Sequence, residues 1–194
     1  MAFGSAPPSA GSASRLRRLL EPEEWVASGV PLLRNPREVV TGLHARHLPT
    51  LSTAVIAVFH PDERLAASAS FARRTMRAGA ADGWELRNAL LTRLRLVIPH
   101  DLRRRTAVRT AVLLYCREGG AHWTEEDGAW MWGLRDACTL HGLRCGAYIT
   151  LTAAGWRILG EGRSGRHPRL PAYPATSVVF GGGTPAAHRQ TAAR

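Results

Sequence analysis

Residues 113–130, LLYCREGGAHWTEEDGAW, have the pattern of a buried strand that ends in a polar loop and leads into a helix. The apolar run stops at a cysteine, and two glycines give the loop backbone freedom. Thr124 stands three residues before Asp127, which is the spacing of a helix-capping box. The stretch therefore predicts a strand over 110–116 and a helix over 124–140, and Gly142 is expected to end this helix as a left-handed C-cap.

The chain on either side of this stretch contains further strand patterns. Residues 51–59, LSTAVIAVF, and 145–151, CGAYITL, are rich in apolar and β-branched residues and predict two more buried strands. A short fourth strand is predicted over 155–159. Residues 65–72, LAASASFA, fit either the second strand of a hairpin or an alanine-rich helix, and the pattern leaves both open.

Two further helices are predicted between these strands. Asn35 is a favourable N-cap with Pro36 at the first helical position, so a helix begins there. Another helix covers 84–98 and ends before Pro99, because a residue that precedes proline avoids helical backbone angles. Strands and helices together predict an α/β fold, with a mixed β-sheet flanked by helices.

The predicted domain spans residues 35–160. Residues 1–34 are expected to be an N-terminal tail that holds a short helix interrupted at Pro22. Residues 161–194 are rich in Gly, Pro, Arg and Ala without periodicity, and predict a disordered basic tail.

The amino-acid composition indicates which kinds of partner and which cellular location to expect. The 194 residues carry 26 Lys+Arg, all of them arginine, against 15 Asp+Glu, for a formal net charge of +11 that favours acidic partners. The three cysteines lack the spacing of a zinc finger and fit a reducing compartment. No apolar run approaches the ~20 residues of a membrane span. We therefore expect a cytoplasmic location and no membrane partner.

The order of elements resembles the RadC-like branch of the JAB/MPN family, the fold of the JAMM metallopeptidases. NPREVV and STAVIAVF are similar to its opening helix and core strand, and DERL at 62–65 is similar to its hairpin. The family's H-x-H-P-x-G loop, with a serine and an aspartate farther on, aligns with the opening stretch without a gap. Gly119, Thr124 and Asp127 hold the glycine, serine and aspartate positions. The resemblance implies a cytidine-deaminase-like fold.

The same alignment implies that most of the family's zinc site has been lost. Leu114 and Cys116 stand at the two histidine positions, and Ser52 falls on or near the position of the general-base glutamate. Tyr148 and the alanine before it replace an Asp-His pair. We therefore expect a pseudoenzyme that needs no cofactor and acts as a binding or scaffold domain. Its protein or peptide partner would occupy the former substrate groove beside 116–127.

Two alternatives remain open. One is a residual zinc metallohydrolase whose ligands are Cys116, His122 and Asp127, with Glu118 as a further donor. The simpler interpretation is that Cys116 is a small buried residue and that Thr124 and Asp127 only cap the helix.

The other alternative is a nucleic-acid-binding accessory protein. A basic segment could hold DNA or RNA through phosphate contacts, or could be an ordinary solvated face. The resemblance to RadC adds an association with DNA repair or mobile elements, by analogy only. The arginines of the segment are Arg93, Arg95, Arg103, Arg104, Arg105 and Arg109.

Overall fold

A computed structural model describes residues 18–73, 82–99 and 107–168 of the chain. No helix in these three ranges is both long and apolar enough to cross a membrane. The helices described are α1 (Pro22–Ala27), α2 (Pro36–His47), α3 (Gly83–Val97) and α4 (Glu125–His141), and the strands are β1 (Thr53–Phe59), β2 (Leu65–Ala72), β3 (Thr110–Cys116), β4 (Arg144–Thr152), β5 (Gly155–Ile158) and β6 (Ser164–Gly165).

All of these strands belong to one open mixed sheet with the order β2-β1-β3-β4-β5-β6. β3 and β4 are parallel and are joined through α4, whereas every other neighbouring pair is antiparallel. The predicted mixed α/β class is confirmed, and the three main predicted strands lie in this one sheet. Residues 65–72 form a strand and not a helix, because they pair with β1 along its whole length.

The sheet separates two apolar cores. On one face, α1, α3 and α4 cover a core that includes Trp25, Tyr115, Trp130 and Tyr148. On the other face, α2 covers a smaller core with Val40 and residues of β1, β3, β4 and β5. Side chains alternate between the faces along each strand, so neighbouring residues of β3 enter different cores.

The packed body extends beyond the predicted range 35–160 at both ends. Leu19, Leu20 and Trp25 are buried in the core beneath α3 and α4. Pro22 is the first residue of α1, where the missing N–H leaves no hydrogen bond unmade. The prediction that Pro22 interrupts a helix is therefore wrong. At the other end, β6 adds an edge to the sheet. Residues 1–17 and 169–194 of the two predicted tails lie outside the described residues.

Candidate functional site

The loop after β3 is joined to α4 by the predicted capping box. Thr124 Oγ1 accepts a hydrogen bond from Asp127 N at 3.2 Å, and Thr124 N donates to Asp127 Oδ2 at 2.9 Å. Gly142 ends the helix in the left-handed conformation with φ of 74°, as its position in the sequence predicts. The start of α4, and with it the carboxylate of Asp127, is therefore held in a fixed position.

Arg117 is the first residue after β3, and its guanidinium is buried beneath the loop. Nε and Nη2 donate to the two carboxylate oxygens of Asp127 at 3.1 and 2.9 Å, a bidentate ion pair. Nη1 donates to the carbonyls of Glu118 and Gly120 at 3.1 and 3.0 Å, and Nη2 also donates to the carbonyl of His122 at 2.7 Å. These contacts use all of the N–H groups of a guanidinium.

The carboxylate of Asp127 is equally well satisfied. Its side chain has no exposed surface. Oδ1 accepts from Tyr148 Oη at 2.8 Å as well as from Arg117, and Oδ2 accepts from Thr124 Oγ1 at 2.9 Å in addition to the backbone bond. Burial, followed by the charge of Asp127, raises the pKa of Tyr148 well above its usual range. We call Arg117, Thr124, Asp127 and Tyr148 the Arg117–Asp127 site.

A second cluster of polar side chains surrounds Glu126, the residue before Asp127 in α4. Tyr115 Oη donates to Glu126 Oε1 at 2.6 Å, and the guanidinium of Arg73 contacts the same oxygen. Burial, and then the hydrogen bond to Glu126, raises the pKa of Tyr115 to about 12. The hydroxyl of Tyr115 is therefore protonated at neutral pH and serves as a hydrogen-bond donor.

The positions that the sequence alignment assigned to a degenerate zinc site are divided between the two faces of the sheet. Ser52 N donates to the carbonyl of Cys116 at 2.8 Å, so these two positions do lie together at the end of the sheet. The side chains of Leu114 and Cys116 are buried in the core beneath α2. Asp127 instead contacts Tyr148, which belongs to the core on the opposite face.

The residues present do not fit a zinc ion. Leu114 has no ligand atom, and the carboxylate of Asp127 already accepts five hydrogen bonds. Burial raises the pKa of Cys116 to about 12, which disfavours the thiolate that zinc requires. His122 is exposed in the loop. Among the residues that the structure describes, no three His, Cys, Asp or Glu side chains are placed to hold a metal ion.

The predicted basic segment is only partly visible. Arg103, Arg104 and Arg105 lie outside the described residues. The guanidinium of Arg93 lies 5.5 Å from the centre of the Phe71 ring. Arg95 is exposed on α3, and the carbonyl of the partly buried Arg109 accepts from Arg144 N at 2.8 Å.

Arg117 is the site residue that the sequence analysis missed. Side chains alternate along a strand, so Arg117, two residues after Tyr115, would have been placed on the same face of the sheet as Tyr115 and α4. The carboxylate of Asp127 at the start of that helix was already assigned, either as a cap or as a zinc ligand. An arginine that directly follows a buried strand needs a counter-charge, and this requirement was the available signal.

No protein-family model matches the chain, and neither a curated protein nor a solved structure matches it.

Proposed function

We propose that the chain is a non-catalytic RadC-like JAB/MPN domain that binds a partner and does not hydrolyse one. The order of elements supports this proposal: a helix, a strand and its hairpin partner, a second helix, then a strand, loop and helix, and a returning strand. This order follows the family pattern that the sequence resembles. The position of the capped loop after β3 supports the same alignment.

The state of Asp127 is the observation that carries the loss of catalysis. JAMM-type hydrolysis needs a zinc ion that lowers the pKa of a bound water, and a carboxylate base that takes the proton of that water. Asp127 is the one family ligand retained in the alignment, and it is bound to Arg117, Thr124 and Tyr148. Binding a metal would break a buried ion pair, which is unfavourable because it leaves the guanidinium of Arg117 without its counter-charge.

The loss of the metal site leaves the outer surface of the loop for a partner. Residues 118–122 are exposed, and the guanidinium of Arg117 supports their carbonyls from below. A protein or peptide would contact this loop without reaching Asp127. The former substrate groove is therefore proposed as a docking surface.

Metal content tests the proposal. Full-length protein purified without chelator from zinc-supplemented medium should carry well under one zinc per chain. Stoichiometric zinc that disappears in Cys116→Ala or Asp127→Ala, and is retained in the control His60→Ala, would overturn it. His60 is exposed and lies at the end of β1, so it reports on adventitious surface binding alone.

Nucleic-acid binding is a second candidate function. The net charge of +11 attracts polyanions over a long range. The structure adds exposed arginines for which the described residues provide no hydrogen-bond acceptor, and two of them face one groove.

A further inference from the structure

A basic groove lies on the face of the sheet that α2 covers. It has a volume of about 1130 Å³ and lies between the start of α2, the turn that joins β4 to β5, and the segment that contains β6. Among the residues that the structure describes, its lining includes no Asp or Glu, and it includes one histidine and three arginines: His167, Arg37, Arg163 and Arg166. A concave surface that carries only positive charge concentrates anions.

The three arginines differ in how they are held. Arg163 is fixed, because its guanidinium contacts Glu161 and donates through Nη1 to the carbonyl of Leu33 at 2.6 Å. Arg37 and Arg166 are exposed, and no acceptor among the described residues contacts their guanidinium groups. Within the part of the chain that the structure describes, nothing occupies the donors of these two side chains, which are therefore placed to bind a ligand.

The floor of the groove is built from backbone and a covered aromatic ring. A Cβ added at Gly165 would lie 2.6 Å from Trp156 Cε2, so glycine is required for the indole to lie against β6. Trp156 as a whole residue is only 6% exposed. It therefore presents no face on which a base could stack, and no apolar anchor of the kind that protein partners use.

We propose that this groove binds the phosphate backbone of a nucleic acid, through Arg37 and Arg166 and without reading its sequence. Guanidinium groups match phosphate oxygens with two parallel hydrogen bonds. The buried indole of Trp156 offers no surface for stacking, and the two exposed guanidinium groups favour contacts to phosphate. The proposal rests on the second candidate function, and it does not depend on the loss of the metal site.

Fluorescence anisotropy of a short labelled oligonucleotide of arbitrary sequence, measured over a range of salt concentrations, tests the groove. Full-length Arg37→Gln/Arg166→Gln should lower the slope of log affinity against log salt by about 2, near one unit for each lost phosphate contact. The matched control is Arg46→Gln/Arg64→Gln, which removes the same charge from exposed positions outside the groove. The control should change the slope by much less.

The other outcomes each exclude the proposal. Equal effects of the two double variants would assign binding to net charge and not to the groove. Displacement by inorganic phosphate or a mononucleotide at concentrations near those of the oligonucleotide would make the groove a small-anion site. Binding of polyglutamate in preference to DNA and RNA would point to an acidic protein partner. A zinc measurement that overturned the first proposal would leave all of these results unchanged.

Discussion

The guanidinium of Arg117 and the guanidinium groups of Arg37 and Arg166 are chemically identical and occupy opposite environments. Arg117 is buried, and all of its donors are used within the protein. Arg37 and Arg166 face an open groove and have no acceptor among the described residues. The difference shows that positive charge alone does not identify a binding site. A binding site needs donors that remain available after folding, and among the described residues the groove has such donors whereas the guanidinium of Arg117 has none left.

The largest expected effect is the loss of stability when the buried ion pair of Arg117 and Asp127 is broken. Arg117→Met leaves the carboxylate of Asp127 buried without a counter-charge, and should destabilise the fold by about 3–5 kcal/mol. Asp127→Leu should cost a similar amount, because the guanidinium of Arg117 is then the unpaired charge. Urea unfolding followed by circular dichroism measures both.

A double variant makes this prediction specific to the pair. Arg117→Met/Asp127→Leu removes both charges together, so its loss of stability should be clearly smaller than the sum of the two single losses. Where a single variant shows no cooperative unfolding, the double variant should regain it. Thr124→Ala is the reference for capping alone and should cost about 0.5–2 kcal/mol. Strict additivity of the two charge variants would show that the ion pair is not what holds the loop.

The second prediction concerns Tyr115 and is confined to alkaline pH. Its pKa is raised to about 12 in the folded state, whereas the unfolded chain has the ordinary value of 10.0. The stabilising contribution is therefore complete below pH 10 and is lost as the pH rises towards 12. Tyr115→Phe removes this ionisation, so its unfolding free energy should fall less steeply than that of the wild type across this window.

Cys116 provides the control for the alkaline experiment. Burial also raises the pKa of its thiol to about 12, from an ordinary value of 9.0, so its contribution begins to disappear at a lower pH. In Cys116→Ala, the unfolding free energy should lose only the part of its pH dependence that begins near pH 9. If Tyr115→Phe and the wild type lose stability in parallel between pH 10 and 12, the hydroxyl of Tyr115 is not held in its protonated form.

Local patterns in the sequence predicted a large part of the fold. The capping box, the end of α4 at Gly142 and the strand that ends at Cys116 each depend on residues within a few positions of one another. Residues 65–72 could not be assigned in this way, since alanine favours a helix and only pairing with β1 decides for a strand. The burial of Leu19 and Leu20 likewise depends on α3 and α4, which lie far along the chain.

The two candidate sites were harder to predict, because each is assembled from distant segments. Asp127 was assigned as a cap, and its pairing with Arg117 appears only when β3 and α4 are placed on one side of the sheet. The groove joins the start of α2 to residues more than 120 positions later. The three consecutive arginines, in contrast, stand out in the sequence, although a run of charge does not by itself show what it contacts.

The last prediction compares the contributions of the groove and of the three consecutive arginines to nucleic-acid binding. It involves no change in stability. Arg109 precedes β3 at one end of the sheet, while the turn after β4, which lines the groove, lies at the other end. The seven residues of β3 separate these ends by roughly 20 Å, so an oligonucleotide of about four nucleotides, at roughly 3.4 Å per nucleotide, should not span both ends. With the phosphate contacts confined to the groove, Arg103→Gln/Arg104→Gln/Arg105→Gln should leave the salt slope of such an oligonucleotide close to that of the wild type. A fall of up to about 3 units in the triple variant, with no change in Arg37→Gln/Arg166→Gln, would instead place the phosphate contacts on the basic segment. The melting temperature should be unchanged in Arg37→Gln/Arg166→Gln, whose positions are exposed, so that a change in slope reports on binding and not on folding.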